Sequence, residues 1–348
     1  MRKRVRIGIA GLGRMGRFHA HNLAGRIPSV ELVRVVDAVE DVARSTGRTL
    51  GVEWSTSYHD LLADPDIEAV VIATPTPLHA RMIEEAAAAG KHVFCEKPIS
   101  FEPAPTWRAI EATRSAGVKL QIGFHRRFDP DWAAAVDRIR KEELGEVYLF
   151  RTSLRDMRPP SVEYLRSSGG FFVDVTIHDF DTARWMVGEI DEVSAFGTAL
   201  SDPAFAEMGD IDTALVVVRF AGGALGVIDN SRVAGYGYEC STEVMGSRAT
   251  VRIDNHRRVH NEWLTPGRVQ ADFVADFTER YRDAYRLELE DFARAVREDR
   301  PVLVTGEDAL AAFVLCQAAE LSLRKGRGVR VHHEEREGRV IYELAEGG

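Results

Sequence analysis

Short apolar segments alternate with amphipathic segments along the first 123 residues of the chain. The apolar segments predict strands, because they are bounded by turn residues and are too short for helices. They comprise residues 5–10, 29–37, 69–73, 91–95 and 119–123. The segments between them predict helices, such as the alanine-rich stretch 78–89 that ends at Gly90. This alternation is typical of a parallel sheet with helices on both faces.

The pattern changes after residue 123, where strand-like segments follow one another with few helical segments between them. Predicted strands cover residues 146–152, 192–198, 213–220, 224–232, 239–244 and 248–253. Gly222 and Gly223 separate two of them and indicate a hairpin. Predicted helices cover residues 131–142, 277–297 and 306–324. We therefore expect an α+β domain with an open, mostly antiparallel sheet.

The composition narrows the class of protein. A formal charge of −9 disfavours nucleic acid or an anionic membrane as the main partner. No apolar run approaches the length of a transmembrane helix. Three widely separated cysteines, Cys95, Cys240 and Cys316, predict reduced thiols rather than a disulfide framework. We expect a cytoplasmic protein.

A glycine motif follows the first predicted strand. Gly11, Gly13 and Gly16 fit G-x-G-x-x-G, in which the glycines permit a tight turn, a close approach of pyrophosphate and close packing of helix on strand. Asp37 ends the next predicted strand 21 residues after Gly16, where a carboxylate can bind both ribose hydroxyls and repel a 2′-phosphate. The alternative is that the glycines only form a turn. The combined pattern favours NAD over NADP. The nearby basic residues Arg34 and Arg44 weaken this preference.

These observations divide the chain into three regions. Residues 1–123 are expected to form a Rossmann NAD-binding domain, and residues 124–331 an α+β domain for substrate binding and oligomerisation. Oligomerisation is expected because an open sheet needs a cover. Residues 332–348 are rich in charge and predict a tail or a short strand at 340–342.

Two further segments carry groups suited to alcohol chemistry. Lys97 follows a predicted strand, and Asp174 and His178 are spaced i, i+4, so that they share one face of a helix with Asp181. A lysine with a carboxylate–imidazole pair could hold and deprotonate a hydroxyl group, as hydride transfer to a nicotinamide requires. Each group also has a structural interpretation, since Lys97 could form a surface ion pair and Asp174–His178 a helix pair worth about 0.2–0.5 kcal/mol.

Four segments together resemble the Gfo/Idh/MocA oxidoreductases, and within that family the inositol 2-dehydrogenases. The segments are residues 11–16, 73–79, 96–98 and 169–181, with further similarity at 124–130 and 236–239, and the resemblance extends to about residue 331. It implies NAD-dependent oxidation of a ring hydroxyl, most simply of myo-inositol to the 2-keto inositol. It also implies a cis peptide bond before Pro98 and a homotetramer, although a dimer would also cover the open sheet.

The resemblance assigns a role to individual residues. Lys97, Asp174 and His178 form the implied catalytic set, with His178 as the base. The implied cofactor contacts, beyond the three glycines and Asp37, are Arg14, Met15, Thr74, Glu96 and Lys97. Asp181, Arg127 and Tyr236 are the implied substrate contacts, although Asp181 could be a structural cap and Arg127 could pair with Asp129.

Several alternatives remain open from the sequence. The substrate could be scyllo-inositol or another sugar derivative. Some members of the broad family use bound NAD to cleave glycosidic bonds, and a non-catalytic NAD-binding regulator is a third class. No metal is expected, because the pairs His256–His260 and His332–His333 lack the accompanying cysteine or carboxylate spacing of a zinc site.

Overall fold

The computed structural model describes residues 4–336 and 339–346. The chain forms two compact units, and each unit is built from two separate pieces of sequence. The first comprises Met1–Asp129 and Asp283–Leu310, and the second comprises Pro130–Arg282 and Ala311–Gly348. Residues 283–310, expected in the second domain, therefore group with the first.

The first unit is an α/β fold around a parallel sheet. Its strands are β1 (Val5–Ala10), β2 (Val30–Val36), β3 (Glu53–Ser55), β4 (Ala69–Ile72), β5 (His92–Cys95) and β6 (Leu120–Ile122). Its helices are α1 (Arg14–Gly25), α2 (Glu40–Leu50), α3 (His59–Leu62), α4 (His79–Ala88) and α5 (Pro103–Ala116). The strand order is β3-β2-β1-β4-β5-β6. From β1 the chain builds the sheet outward on one side as far as β3, and it then crosses to the other side of β1, where β4 pairs in parallel. Ligands of such sheets bind beyond the carboxyl ends of the strands at this crossing point.

Burial explains why these strands are nearly continuous runs of apolar residues. All four residues of β4 are buried, as expected for a parallel strand that is covered on both faces. The core around β1 also includes Leu289, Phe292 and Ala293 from a late helix. These side chains explain why the segment 283–310 belongs to the first unit rather than to the second.

The second unit contains the larger sheet. Its strands are β7 (Val147–Arg155), β8 (Ile190–Thr198), β9 (Thr213–Phe220), β10 (Leu225–Ser231), β11 (Glu239–Gly246), β12 (Thr250–Ile253), β15 (Val329–Arg336) and β16 (Arg339–Glu346), with β13 (Trp263–Thr265) and β14 (Arg268–Gln270) forming a separate hairpin. The order is β12-β11-β7-β10-β9-β8-β15-β16. The β7–β10 pair is parallel and the other pairs are antiparallel, which confirms the expected mostly antiparallel sheet.

The helices of the second unit are α6 (Pro130–Arg140), α7 (Val162–Leu165), α8 (Ile177–Met186), α9 (Pro203–Glu207) and α10 (Phe277–Arg280). Two late helices follow them in the chain: α11 (Arg282–Glu298), which groups with the first unit, and α12 (Gly306–Lys325), most of which groups with the second. Ser322 of α12 accepts a hydrogen bond from the Ala195 N–H of β8 at 2.9 Å, which attaches this helix to that strand. Within the residues described, no helix combines the length and the apolar character needed to cross a membrane.

Three local features differ from the sequence-based expectation. The helix predicted at 277–297 is interrupted at Tyr281, which separates α10 from α11. Strand β3 and the hairpin β13–β14 were not predicted, because three-residue strands carry too little periodicity. The charged C-terminal segment forms β16, paired with β15 along its length, while residues 337–338 and 347–348 lie outside the described part of the chain.

Candidate functional site

The glycine loop between β1 and α1 has the geometry of a phosphate-binding turn. Gly11 has φ +89°, and a Cβ at this position would lie 2.5 Å from the Ala73 carbonyl oxygen. A Cβ on Gly16 would overlap the carbonyl oxygen of Gly11. A Cβ on Gly13, in contrast, would meet nothing within 4 Å. The first and third glycines are thus required by packing, whereas Gly13 leaves open space above the backbone.

The amino terminus of α1 faces this loop without a side-chain cap. Gly13 occupies the cap position, and the first turn, which begins with Arg14 and Met15, contains no acidic residue. Unpaired backbone N–H groups and the positive end of a helix dipole favour an anion such as pyrophosphate. The loop therefore fits the diphosphate of a dinucleotide.

Asp37 follows β2 and turns its carboxylate toward the glycine loop. Its Oδ2 accepts the Leu12 N–H at 2.7 Å, and its Oδ1 accepts the Val39 N–H at 2.9 Å. A carboxylate has about four lone-pair positions, so further acceptor capacity remains for hydroxyl groups. The structure thus brings together Gly11, Gly13, Gly16 and Asp37, and the set fits the adenosine half of NAD.

The segment that carries Lys97 is a tight turn after β5. The Lys97–Pro98 peptide bond is cis, as the family resemblance implies. Glu96 directs its carboxylate toward α1, where Oε1 lies 2.6 Å from His19 Nε2. The backbone N–H of Lys97 donates to Glu96 Oε2 at 3.3 Å. The side chain of Lys97 is half-buried.

His79 connects this turn to the segment after β4. Its Nδ1 lies 2.8 Å from the Pro98 carbonyl oxygen, and its Nε2 lies 2.6 Å from the Thr74 carbonyl oxygen. Burial lowers the pKa of His79, although both carbonyl groups favour the charged ring. One side chain therefore fixes two neighbouring segments that contain the predicted cofactor residues Thr74 and Lys97.

Asp174 lies in a π-helical segment, Phe172–Thr176, that continues into α8. Its Oδ2 accepts a hydrogen bond from Arg232 Nη1 at 2.7 Å, and its Oδ1 accepts one from Tyr164 Oη at 2.7 Å. The Arg232 side chain is 1% exposed and that of Asp174 is 11% exposed. Single π-helical turns are frequent at functional sites. The carboxylate is thus held in one orientation by a buried cation and a phenol.

The neighbours of this ion pair fix the start of the helix. Arg232 lies over the ring of Phe171, with its Cζ 5.4 Å from the ring centroid. Asp210 Oδ1 accepts the Phe171 N–H at 3.0 Å, and Asp210 Oδ2 lies 3.9 Å from Arg232 Nη2. Two carboxylates therefore share one guanidinium at the beginning of the segment that bears Asp174.

Helix α8 carries His178 and Asp181 and is anchored to the sheet by Asp179. The buried carboxylate of Asp179 accepts from Asn230 Nδ2 at 2.9 Å and from Thr152 Oγ1 at 3.3 Å. His178 is half-buried, and Asp181 is 1% exposed. An imidazole one turn after a fixed carboxylate can accept a proton from a hydroxyl group and be stabilised in its charged form.

Two predicted substrate residues take part in ion-pair and hydrogen-bond networks. The buried Arg127 pairs with Asp308, with 3.0 Å between Nη2 and Oδ1. Tyr236 is half exposed, donates to Glu239 and accepts from Arg155 Nη1 at 3.0 Å. Burial, followed by the bond to Glu239, raises the pKa of Tyr236. Lys97 and Arg127 belong to the first unit, while Tyr236 belongs to the second with Asp174, His178 and Asp181.

Sequence reasoning missed the residues that support this chemistry. Arg232 continues the inward-facing positions 226, 228 and 230 of β10, and a charged residue in that register is a readable signal. Tyr164 and His79 carried no comparable signal, because their hydrogen bonds to Asp174, Pro98 and Thr74 follow no helix or strand spacing.

Comparison with known proteins places this geometry in a family. Residues 5–124 match the NAD-binding Rossmann fold of the GFO_IDH_MocA oxidoreductase family, and residues 136–331 match the C-terminal alpha/beta domain of that family. The myo-inositol 2-dehydrogenase of Thermotoga maritima is 43% identical over 94% of this chain and 98% of its own length. The NAD(+)-dependent scyllo-inositol 2-dehydrogenase of Bacillus subtilis is 39% identical over 95% of this chain and 97% of its own.

A solved structure agrees with both matches. The scyllo-inositol dehydrogenase of Lactobacillus casei, determined with bound NAD(H) and scyllo-inositol, superposes with a TM-score of 0.89 at 29% identity. The alignment covers 94% of this chain and 99% of that protein. Similarity therefore extends over both matched domains.

Proposed function

Because the chain belongs to the Gfo/Idh/MocA oxidoreductase family, we propose that it oxidises a ring hydroxyl of inositol with NAD, converting myo-inositol to the 2-keto inositol. One observation carries this proposal. Relatives named as inositol 2-dehydrogenases align with at least 94% of the chain, including both the residues around Asp37 and those around Asp174.

The proposed roles follow from the chemistry of the side chains. When bound, NAD accepts hydride from the carbon that bears the hydroxyl group. His178 accepts the hydroxyl proton, and Asp174 orients the imidazole and stabilises its charged form. Lys97 donates a hydrogen bond to the oxygen as negative charge develops on it. Ketone, NADH and a protonated His178 result, so atoms and charge balance.

Further residues are proposed to contact the ligands. Asp181, Arg127 and Tyr236 bind the remaining hydroxyl groups, since a polyol offers both donors and acceptors. Arg14, Met15, Thr74 and Glu96 line the cofactor. The uncapped start of α1 and the open space at Gly13 support the cofactor contacts.

The proposal extends to the assembly and its location. We place the enzyme in the cytoplasm as a homotetramer, with subunits joined through the outer face of the larger sheet. That face carries exposed apolar side chains on adjacent strands, among them Phe196, Leu215, Leu225 and Met245. Phe196 and Leu215 are direct cross-strand partners. An apolar face of this kind marks an interaction surface in a soluble protein.

An activity panel tests the substrate. Purified protein is given NAD or NADP with myo-inositol, scyllo-inositol, other inositol stereoisomers, hexoses and deoxysugars, while NADH absorbance is followed. Turnover with myo-inositol and NAD supports the proposal. Absence of turnover with every inositol stereoisomer would overturn the substrate assignment.

The role of His178 is tested separately. His178→Ala should lower kcat by about 10²–10⁴, because the proton acceptor is removed. Binding of NAD, measured by fluorescence titration, should be retained. The matched control is His260→Ala, which alters an exposed histidine and should leave kcat unchanged. Near-normal turnover of His178→Ala would exclude this residue as the base.

A further inference from the structure

Three titratable side chains meet in the interior of the first unit. His19 comes from α1, Glu96 from the turn after β5, and Glu288 from α11. Their nearest nitrogen and oxygen atoms all lie within 4.8 Å of one another. His19 and Glu288 are fully buried, and the side chain of Glu96 is 14% exposed. The proposed reaction uses neither His19 nor Glu288.

The environment of Glu288 is unfavourable for a charge. Neither of its carboxyl oxygens has a hydrogen-bond partner. The aromatic rings of Phe94 and Phe292 lie close together in the same core, with centroids 6.0 Å apart. Phe94 also packs edge-on against His19, at 5.6 Å between centroids. An ionised carboxylate in such a place, beside a second carboxylate, would be strongly disfavoured.

The distances distinguish a shared proton from a metal ion. His19 Nε2 and Glu96 Oε1 are 2.6 Å apart. Two ligands bound tetrahedrally to Zn²⁺ at about 2.0–2.2 Å would be about 3.3 Å apart. The observed separation is that of a hydrogen bond, in which one proton lies between the nitrogen and the oxygen.

We propose that His19, Glu96 and Glu288 form one buried cluster, in which His19 and Glu96 share a proton and Glu288 is a neutral carboxylic acid and a positioning residue for the Glu96–Lys97 turn. In this arrangement Glu288 lies beside the Glu96 carboxylate without adding a second negative charge. The remaining negative charge on Glu96 is stabilised by the hydrogen bond with His19 and by the charge of Lys97.

The electrostatics of the two carboxyl groups agree with this arrangement. Burial, and then the charge of Glu96, raises the pKa of Glu288 well above its ordinary value. Burial also acts to raise the pKa of Glu96, but the hydrogen bond and charge of His19, followed by the charges of Lys97 and His79, outweigh burial and lower it. One carboxyl is thus favoured as the acid and the other as the carboxylate.

Other polar groups near the cluster lie on neighbouring elements. Tyr285, on the same helix as Glu288, packs against the ring of His19 at 5.9 Å and stacks on His125 at 4.4 Å. Gln121 of β6 donates to the Glu288 backbone carbonyl at 2.9 Å. Among the positive charges outside the cluster, that of Lys97 acts most strongly on Glu96.

The connection to Lys97 is direct. Glu96 Oε2 accepts the Lys97 N–H, and a Cβ on Gly123 would lie 3.2 Å from the same oxygen. The carboxyl of Glu96 is therefore confined by His19, by the Lys97 backbone and by the tight approach of Gly123. A neutral Glu288 adds to this confinement, and because it has no charge it does not repel the Glu96 carboxylate.

The first test measures stability against pH in Glu288→Gln, which keeps the shape and cannot ionise. A buried acid with a raised pKa stays protonated when folded but ionises near its ordinary pKa when unfolded, so the wild type loses stability as pH rises above about 4.5. The unfolding equilibrium of the wild type should shift roughly tenfold per pH unit relative to Glu288→Gln. The variant's advantage in thermal midpoint should therefore grow as pH rises above 5, until the folded acid itself ionises.

Glu290→Gln is the matched control, since Glu290 lies on the same helix and pairs with Arg286 at its surface. Its difference from wild type should stay constant over this range. Equal pH dependence of the two variants would overturn the proposal. So would a stoichiometric metal in the wild type, measured by elemental analysis, that is lost in Glu288→Gln.

The second test detects the proton. The infrared spectrum of the wild type at neutral pH should contain the carbonyl band of a protonated carboxylic acid, and Glu288→Gln should lack it. Absence of that band from the wild type would contradict a neutral Glu288. Neither measurement depends on the substrate, so both remain decisive if inositol proves to be inactive.

The positioning role is tested by rescue. Glu288→Leu should lower kcat by about tenfold to a hundredfold with NAD affinity retained, because small displacements of catalytic groups are costly. Glu288→Gln should recover most of that loss, since the amide has the shape and the neutral, polar character of the carboxylic acid. Equal kcat values for the two variants would remove the positioning role.

Discussion

Asp174 and Arg232 form a deeply buried ion pair beside the proposed base His178. A buried pair is retained only where its geometry is good, because both partners lose their hydration. Here the guanidinium also stacks on Phe171, and the carboxylate gains a second hydrogen bond from Tyr164. At the residue scale, these contacts hold the Asp174 carboxylate in one direction.

Replacement of Arg232 tests this pair. Arg232→Met should lower the free energy of unfolding by about 3–5 kcal/mol, because the buried carboxylate loses its cation. It should also lower kcat by about tenfold to a hundredfold. Arg232→Lys should be intermediate, since an ammonium keeps the charge but lacks the planar fork. Urea unfolding and steady-state kinetics measure both effects.

The control for that experiment is an arginine at the surface. Arg138→Met removes a side chain of α6 that is 61% exposed and lies 2.9 Å from Glu143. Its free energy of unfolding should change by less than about 0.5 kcal/mol. If Arg232→Met is equally harmless, the pair does not hold Asp174.

Asp37 allows a test of cofactor choice. Asp37→Ala should raise the NADP-to-NAD ratio of kcat/KM, because the carboxylate that repels a 2′-phosphate is removed. Asp137→Ala removes an exposed carboxylate on α6, in the second unit, and should leave that ratio unchanged. An unchanged ratio in Asp37→Ala would contradict the ribose role.

Residues with a short local context could be predicted, and residues with long-range partners could not. Gly11, Gly13, Gly16 and Asp37 lie within one β-α-β segment, so their spacing alone indicates their arrangement. His19 and Glu288 are separated along the chain by most of its length, and no local pattern shows that they meet. Their cluster depends on the tertiary structure.

At the scale of elements, the connection from β1 to α1 contains two kinds of glycine. Gly11 and Gly16 are required because strand, turn and helix approach too closely for any Cβ. Gly13 has no such neighbour in the protein itself. Because Gly13 also occupies the uncapped amino terminus of α1, this open space is suited to a phosphate.

This difference predicts opposite outcomes for two alanine substitutions. Gly13→Ala should retain the thermal midpoint of the wild type but bind NAD more weakly, because the added methyl group occupies the pyrophosphate position. Gly11→Ala should lower the thermal midpoint, since its φ of +89° and the Ala73 carbonyl exclude a Cβ. Calorimetry and NAD titration measure the two effects.

Gly25→Ala is the control, because a Cβ on Gly25 would also meet nothing within 4 Å. It should change neither the thermal midpoint nor the affinity for NAD. Normal NAD binding by Gly13→Ala would argue against a phosphate at this position.

Helices and strands lie where the sequence predicts them wherever the periodicity of apolar residues extends over several residues. The strands of both sheets lie close to the predicted segments, because alternating or continuous apolar residues fix their burial. The π-helical turn at Phe172–Thr176 could not be predicted, since one extra residue in a helical turn leaves no distinct pattern. The i, i+4 spacing predicts Asp174 and His178 on one face of an α-helix, but the α-helix begins only at Ile177, so Asp174 precedes it.

At the scale of the molecule, the larger sheet has one face covered and one face exposed. The covered face is apolar, as the alternating burial along β9 shows. The opposite face carries Phe196, Leu215 and Val217 at the surface of the single chain. Such a face is expected to be covered by a second copy.

A charge on this face should weaken the proposed tetramer. Phe196→Asp replaces a side chain that is 64% exposed in the single chain, so each subunit should still fold. Analytical ultracentrifugation should then detect smaller species at concentrations where the wild type is a tetramer. Leu264→Asp, in the separate hairpin, is the control and should leave the mass unchanged. A monomeric wild type would refute the assembly.

The discontinuous first unit has a consequence for biosynthesis. All six strands of its sheet are made before residue 129, whereas Leu289 and Phe292 of its core follow much later. At about 5–20 residues per second, the ribosome needs roughly 10–35 s to add the intervening 180 or so residues. During that time the nascent chain exposes the apolar surface around Phe94 that Phe292 later covers. A chaperone that binds exposed apolar surface can therefore act during this interval. The interval ends when α11, which carries Phe292, has been synthesised.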